Sequence, residues 1–204
     1  MQIIVIIFNQ IMNVILASSS IFRKQLLSKL GIDFKCISPN INESRIKGEP
    51  VSKYVQRLSV EKARKISIDN KNSIIIGSDE VADLDGKILG KPITRKKAIN
   101  QLKMISGSKV IFRTGLCVMN SETGKYYSSV NNYTIFFKDL SNKVINSYLD
   151  NDDVLKCAGS IRIEGLAINL VKSMKGSDPS SIMGLPLLKV INYLDKFGIK
   201  VMSN

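Results

Sequence analysis

The sequence predicts an α/β fold with a mixed β-sheet, and three observations support this fold class. Short apolar runs such as NVILA at Asn13–Ala17 and the three isoleucines of residues 74–76 are typical of buried strands. Segments with apolar residues at helical spacing, such as residues 51–68, lie between such runs. Strands and helices do not alternate strictly, which favours a mixed sheet over a fully parallel one.

The individual elements follow from period, caps and turn residues. The predicted strands are residues 13–17, 34–37, 74–76, 110–120, 126–137 and 166–174. The predicted helices are residues 23–30, 51–68, 94–105, 141–149 and 187–197. Gly31 is expected to end the first helix, and Thr94 to cap the third. Asp85-Gly86 predicts a two-residue hairpin turn.

Composition narrows the classes of function. The chain has 204 residues, of which 44% are hydrophobic, and this is enough for one sizeable core without disulfides. The longest apolar run, IIVIIF at residues 3–8, is shorter than the roughly 18 residues of a membrane span. Three scattered cysteines favour reduced thiols and a cytoplasmic location. The short apolar runs predict no membrane partner, and the net charge of +13 is spread along the chain, which argues against a nucleic-acid partner.

The absence of histidine is the most informative compositional fact. It excludes Ser-His-Asp and Cys-His catalysis within the chain. Zinc is not expected either, because the three cysteines have no CxxC spacing. Acid–base chemistry must therefore come from carboxylates, lysines, tyrosines or a water activated by a metal.

Two segments have the residues that are needed to bind a complex of a metal ion and a triphosphate. Residues 74–92 are expected to place Asp79 and Glu80 at the end of a strand, with Lys91 returning nearby after the hairpin. A carboxylate can hold a cation or a water, and a lysine can neutralise phosphate. Residues 16–31, LASSSIFRKQLLSKLG, place hydroxyl residues before a helix N-terminus, where backbone N–H groups bind anions. From these residues alone, a capped hairpin and an N-cap with surface charges remain alternatives.

Taken together, these segments resemble the Maf family of nucleotide pyrophosphatases. The similarity extends in order over residues 13–198, and its details are nearest to the branch that hydrolyses 7-methyl-GTP, through GSDEVADLDG, RTGLCVMNSETG, CAGSIRIEGLAINL and GSDPSSIMGLPL. Further matching motifs are Asn40 to Glu43, Glu61-Lys62-Ala63, Ser106-Gly107 and Gly184-Leu185-Pro186.

This resemblance implies a Maf/ITPase-like fold: an elongated central mixed sheet flanked by helices, with a cleft between two lobes. It implies hydrolysis of a nucleoside triphosphate to a monophosphate and pyrophosphate by metal-assisted attack of water, with Mg or Mn as cofactor. A homodimer is a further expectation. Asp79 is the implied general base, Glu43, Asp79, Lys62 and Lys91 have implied metal or phosphate roles, and the implied anion contacts are Ser18, Arg23 and Lys24.

The sequence departs from the family pattern at three positions. Ile21 replaces a proline, Phe22 stands where the 7-methyl-GTP branch has tryptophan, and Glu80 stands where it has glutamine. We expect Phe22 to stack on a methylated guanine and Glu164 to accept hydrogen bonds from its edge. Glu80 would add a second negative charge or assist Asp79. In the alternative interpretation, Phe22 packs beneath the first helix and Glu164 caps a turn.

Two other functions remain open at this stage: a dTTP/UTP pyrophosphatase of the same family, and a non-catalytic basic protein that binds nucleic acid or regulates division. The presence of Glu43, Asp79 and Lys91 argues against the second. For domain organisation, we expect residues 1–12 to be a non-essential extension and residues 13–204 to be a single domain. Met12 is a candidate initiator.

Overall fold

The computed structural model describes residues 12–202, which form a seven-stranded mixed sheet with helices packed on it. Its strands lie in the order β2-β1-β3-β5-β6-β7, with β4 paired to β3. They are β1 (Asn13–Ala17), β2 (Lys35–Cys36), β3 (Ser73–Leu84), β4 (Lys87–Leu89), β5 (Lys109–Asn120), β6 (Tyr126–Phe137) and β7 (Val171–Lys175). Strands β1, β2 and β3 are parallel, and the other pairs are antiparallel. The predicted α/β class and mixed sheet are confirmed.

The helices follow the predicted order with small shifts at their ends. They are α1 (Ile21–Ser28), α2 (Val51–Ser67), α3 (Arg95–Ile105), α4 (Asn142–Asn151) and α5 (Leu187–Asp195). Helix α1 begins two residues earlier than predicted, because the Ser20 side chain accepts a hydrogen bond from the backbone N–H of Arg23 and acts as the N-cap. Thr94 caps α3 as predicted.

Strand β3 is much longer than the sequence indicated. The predicted strand ended at Gly77, but β3 continues to Leu84, so Asp79 and Glu80 lie in mid-strand. The reason is that β5 pairs with β3 on one edge from Ile74 to Asp83. On the other edge, β1 pairs only as far as Gly77 and β4 begins at Ala82. Residues 78–81 therefore have one open edge between two neighbouring strands.

The segment of residues 166–174 also differs from the prediction. Only Val171–Lys175 forms a strand, and Leu166–Leu170 is a 3-10 helix. The backbone N–H of Leu166 donates to Asp152 Oδ2 at 2.7 Å, and the side chain of Asn169 donates to the carbonyl of Leu166 at 3.1 Å. These local bonds use backbone groups that a strand would have paired with β6, so pairing begins only after Leu170.

Two glycines allow helix α2 to lie directly on the sheet. A Cβ atom at Gly77 would stand 2.2 Å from the carbonyl oxygen of Ser59, and one at Gly115 would stand 2.1 Å from that of Val55. Real Cβ atoms do not approach so closely, so any larger residue would force α2 away from the sheet. The close approach matters for function because α2 carries Lys62 towards β3.

The opposite face of the sheet is covered by two separate hydrophobic clusters. One contains Leu16, Leu27, Leu116 and residues of α5. The other lies under α3 and α4 and contains Phe112 and Ile135. A cleft separates the α1 side of the molecule from the side formed by β4 and residues 156–164. This arrangement confirms the two lobes that the resemblance implied.

The sequence predicted no membrane span and a non-essential N-terminal extension. No helix within residues 12–202 is long and apolar enough to cross a membrane. Of the predicted extension, residues 1–12, all but Met12 lies outside the described residues, so its non-essential character stays a prediction, as does Met12 as an initiator. Met12 itself packs against the cluster that contains Leu16. All three cysteines are free.

Candidate active site

The cleft between the lobes has a volume of about 800 Å³ and opens at the unpaired edge of β3. This volume lies in the range of small-molecule sites. Its charged lining consists of four cations and four acids, namely Arg23, Lys62, Lys91, Lys156, Glu43, Asp79, Glu80 and Glu164. The open edge lets residues on both faces of β3 reach the same cavity.

On the α2 face of β3, one lysine joins two carboxylates. Lys62 Nζ lies 2.6 Å from Asp79 Oδ1 and 2.8 Å from Glu43 Oε1. The Lys62 side chain is only 6% exposed, and the Asp79 side chain 10%, whereas Glu43 is 56% exposed at the mouth of the cleft. A nearly buried ammonium is costly unless it is paired, so the two carboxylates stabilise its charge. Three of the predicted site residues thus form one cluster.

Glu80 lies on the other face of β3, and its surroundings are different. Its Oε1 atom is buried and has no hydrogen-bond partner within residues 12–202. Burial raises the pKa of Glu80 to about 8, with a smaller contribution from Asp79, while Arg23 and Lys91 act in the opposite direction. At neutral pH the carboxyl is therefore mostly protonated. The prediction that Glu80 adds a second negative charge to the site is therefore wrong. In its hydrogen-bonding capacity, Glu80 resembles a neutral glutamine more than a carboxylate.

Arg23 is held at the wall of the cleft by hydrogen bonds to two distant parts of the chain, residue 184 and the end of β1. Its Nε donates to the carbonyl of Gly184 at 2.9 Å, and its Nη1 donates to Ser18 Oγ at 3.4 Å. Ser78 Oγ lies 2.8 Å from the same carbonyl of Gly184. Gly184 has a φ of +90° and follows a 3-10 helix, Pro179–Met183. Arg23 is thus positioned by tertiary contacts and not only by its place at the start of α1.

Lys24 does not share this position. It is exposed on α1 and does not line the cleft, although its neighbour Arg23 does. The first turn of α1 lines the cleft through Ile21, Phe22 and Arg23, and the Lys24 side chain that follows them is exposed. The substrate contact expected for Lys24 therefore has no support from its location.

Lys91 and Lys156 lie on two loops that are joined by backbone hydrogen bonds. The N–H of Gly159 donates to the carbonyl of Gly90 at 3.3 Å, and that of Ile93 donates to the carbonyl of Leu155 at 3.1 Å. Both lysines are exposed in the cleft, and neither forms an ion pair within the described part of the chain. Lys156 was not predicted, because an isolated lysine in a loop gives no sequence signal.

The residues predicted to contact the base also line the cleft. Phe22 is half-buried at the start of α1. Glu164 is 30% exposed and lies 3.4 Å from Arg162 Nε, whereas Arg162 makes a shorter bond of 2.8 Å to Asp152. Because Arg162 is held mainly by Asp152, the Glu164 carboxylate keeps hydrogen-bonding capacity for a ligand.

The acids of the cleft suit a divalent cation that arrives with a substrate. Glu43 and Asp79 meet at one lysine, and the described residues contain no cluster of three or more acidic, histidine or cysteine side chains. Mg²⁺ is usually held by one or two carboxylates together with substrate phosphates. A cation shared with a triphosphate would need only such a pair of carboxylates, and Glu43 and Asp79 are the two that could hold it.

A second cavity, of about 620 Å³, lies near the end of α4, away from the cleft. Two of its three acids are already paired within the protein. Asp150 forms an ion pair with Arg95 at 2.8 Å, and Asp152 binds Arg162 and the backbone N–H of Leu166. These ion pairs hold the loop after α4 in place, so we choose the larger cleft as the candidate active site.

Comparisons with known proteins show the family of the chain. The family model described as Maf-like protein matches residues 13–197. The chain is 43% identical over 188 residues to the "7-methyl-GTP pyrophosphatase" of Aliivibrio fischeri, covering 92% of this chain and 97% of the relative. It is 44% identical over 187 residues to the protein of the same name from Methylobacillus flagellatus, with the same coverage. On this evidence, the chain belongs to the Maf family.

Proposed function

We propose that this Maf-family hydrolase converts N7-methyl-GTP and water to N7-methyl-GMP and pyrophosphate. The observation that carries the proposal is the cluster of Asp79, Lys62 and Glu43 at the open edge of β3, within a cleft of the right size for a nucleotide. The substrate comes from the shared name of the relatives, which cover nearly the whole chain.

Asp79 is suited to accept a proton from the attacking water. Its Oδ1 contacts Lys62, and its Oδ2 makes no hydrogen bond or ion pair within residues 12–202, so Oδ2 can bind a water. As the water oxygen bonds to the α-phosphorus, its proton passes to Asp79 and the bond from the α-phosphorus to the bridging oxygen breaks. Lys62 keeps the Asp79 carboxylate oriented during this step.

The cations of the cleft balance the charge of the triphosphate. Arg23 and Lys91 act on Glu80 and Lys62 pairs with Asp79, so positive charge is available to the cleft near both acids of β3. Cations fixed before the reaction stabilise the charge that develops on the phosphate oxygens and on the leaving pyrophosphate. Mg or Mn bound at Glu43 and Asp79 would add Lewis-acid stabilisation of the same phosphate oxygens.

Methylation at N7 gives the guanine ring a positive charge, which distinguishes it from GTP. Phe22 offers an aromatic face and Glu164 a carboxylate in the same cleft. Cation–π attraction is worth about 0.5–2 kcal/mol, or roughly 2- to 30-fold in preference for the methylated base. We expect Phe22→Ala to lower the ratio of kcat/KM for N7-methyl-GTP over GTP by this factor and Phe22→Trp to raise it, because tryptophan is the stronger cation–π partner. Glu164→Gln should lower the ratio as well.

The test is the release of pyrophosphate from N7-methyl-GTP, GTP, UTP and dTTP by purified protein with Mg or Mn. The proposal predicts the highest kcat/KM for N7-methyl-GTP. A preference for UTP or dTTP would overturn the choice of substrate and leave the reaction in place. No pyrophosphate from any nucleotide would overturn the reaction itself and favour a non-catalytic role.

A further inference from the structure

Tyr54 of α2 is a cleft residue that the sequence did not single out. Its hydroxyl donates a hydrogen bond of 2.8 Å to the backbone carbonyl of Glu43, and its ring packs beside Val51, Val55 and Val81. A backbone carbonyl can only accept a hydrogen bond, so the Tyr54 phenol is the donor in this contact.

The loop that bears Glu43 depends on α2 for its position. Residues 39–50 form no helix or strand. Arg57, one turn after Tyr54, binds Glu49 at 2.7 Å and the carbonyl of Ser44 at 3.2 Å. Lys62, two turns after Tyr54, binds the Glu43 carboxylate. The loop is therefore attached to α2 at three successive levels.

Glu43 itself is held at both of its polar ends. Tyr54 binds its backbone carbonyl, and Lys62 binds its carboxylate. Because the Glu43 side chain is 56% exposed, packing alone cannot hold it over the cleft. A single ion pair at such an exposed side chain contributes little rigidity. The backbone contact from Tyr54 supplies the second point of attachment.

We propose that Tyr54 is a positioning residue, which fixes Glu43 at the mouth of the cleft through the Glu43 carbonyl so that its carboxylate meets Lys62. This inference rests on the role proposed for Glu43 in pyrophosphate release. Tyr54 acts through Glu43 and makes no contact of its own with the reacting atoms.

The experiment compares Tyr54→Phe in two backgrounds, wild type and Glu43→Gln. Phenylalanine keeps the ring packing and removes only the hydroxyl. The loss of one hydrogen bond predicts about a 3- to 10-fold fall in kcat for N7-methyl-GTP in the wild-type background. In the Glu43→Gln background, Tyr54→Phe should have little further effect, since the group that it positions has already been changed. A fall of equal size in both backgrounds would overturn the proposal.

Amide hydrogen exchange gives a second readout that does not need activity. Tyr54→Phe should speed exchange in residues 40–49 and leave the sheet unchanged. The matched control is Tyr126→Phe, whose side chain is 43% exposed and whose hydroxyl makes no hydrogen bond within residues 12–202. Unchanged exchange in Tyr54→Phe would overturn the positioning role. If the wild type released no pyrophosphate, the proposed function would fail, and the exchange measurement would still decide whether Tyr54 positions Glu43.

Discussion

Asp79 and Glu80 are neighbours in the sequence, but they occupy two different environments. Side chains alternate between the faces of a strand, so Asp79 points towards α2 and Glu80 towards the opposite face. Asp79 contacts a buried ammonium at 2.6 Å. Glu80 has a buried oxygen without a partner, and burial raises the pKa of its carboxyl to about 8. Two acids one residue apart therefore lie in different electrostatic surroundings, one paired with an ammonium and the other buried without a partner.

The comparison shows how one strand can serve two purposes in a nucleotide site. An ionised carboxylate can accept a proton, and a neutral carboxyl can donate or accept a hydrogen bond as an amide does. The gap between β1 and β4 exposes the strand edge, so both groups reach one cleft from opposite faces. Substitutions at the two positions should accordingly have very different effects.

The largest expected effect comes from Asp79→Asn. A general base contributes about 10²–10⁴-fold to the rate, so kcat for pyrophosphate release should fall by that factor. The matched variant is Glu80→Gln, which changes the adjacent acid in the same way and should keep turnover within several-fold of wild type. Thermal unfolding of both variants checks that each is folded. Near-wild-type turnover in Asp79→Asn would remove Asp79 from the role of base.

A smaller effect is expected from a cation on the Glu80 side of the strand. Lys91→Ala removes a proposed charged contact to the triphosphate, and such contacts are worth about 1.5–3 kcal/mol, or roughly 10- to 160-fold in kcat/KM. Lys96→Ala is the control, because Lys96 is exposed on α3 and lies outside the cleft. Equal kcat/KM values for the two variants would mean that Lys91 is a surface charge without a role in binding the triphosphate.

Much of the fold could be predicted from local patterns. The buried strand Asn13–Ala17, the Asp85-Gly86 hairpin, the Thr94 cap and the long strand pair β5 and β6 each have a strong signal in period or turn residues. The charged residues of the cleft were also predictable: the strand-end pattern singled out Asp79, and the resemblance to the Maf family implied roles for Lys62 and Glu43.

What could not be predicted depends on contacts between distant segments. The polar residues Ser78, Asp79 and Glu80 suggested the end of a strand, yet pairing with β5 continues β3 through them. The neutral state of Glu80 depends on burial that only the assembled cleft provides. Tyr54 and Lys156 belong to no sequence motif. Their place in the cleft follows only from the structure, in which α2 and the 156–164 segment line the same cavity.

The smallest and most specific prediction concerns stability and pH. Because the pKa of Glu80 is raised from 4.5 to about 8 in the folded protein, between these values the folded state keeps a proton that the unfolded state has lost. The contribution of Glu80 to stability is therefore fully present below about pH 4.5 and is lost as pH rises towards 8, at up to about 1.4 kcal/mol per pH unit for one proton. Glu80→Gln has no such proton.

Urea denaturation of wild type and Glu80→Gln at pH 5, 7 and 9 measures this effect. Subtracting the two free energies of unfolding removes the contributions of all other titrating groups that the substitution leaves unchanged. The wild type should lose stability relative to Glu80→Gln as pH rises, with most of the change between pH 5 and 8. A difference that stays constant over this range would mean that Glu80 is ionised in the folded protein, like Asp79 in our proposal, and the contrast between the two faces of β3 would then be lost.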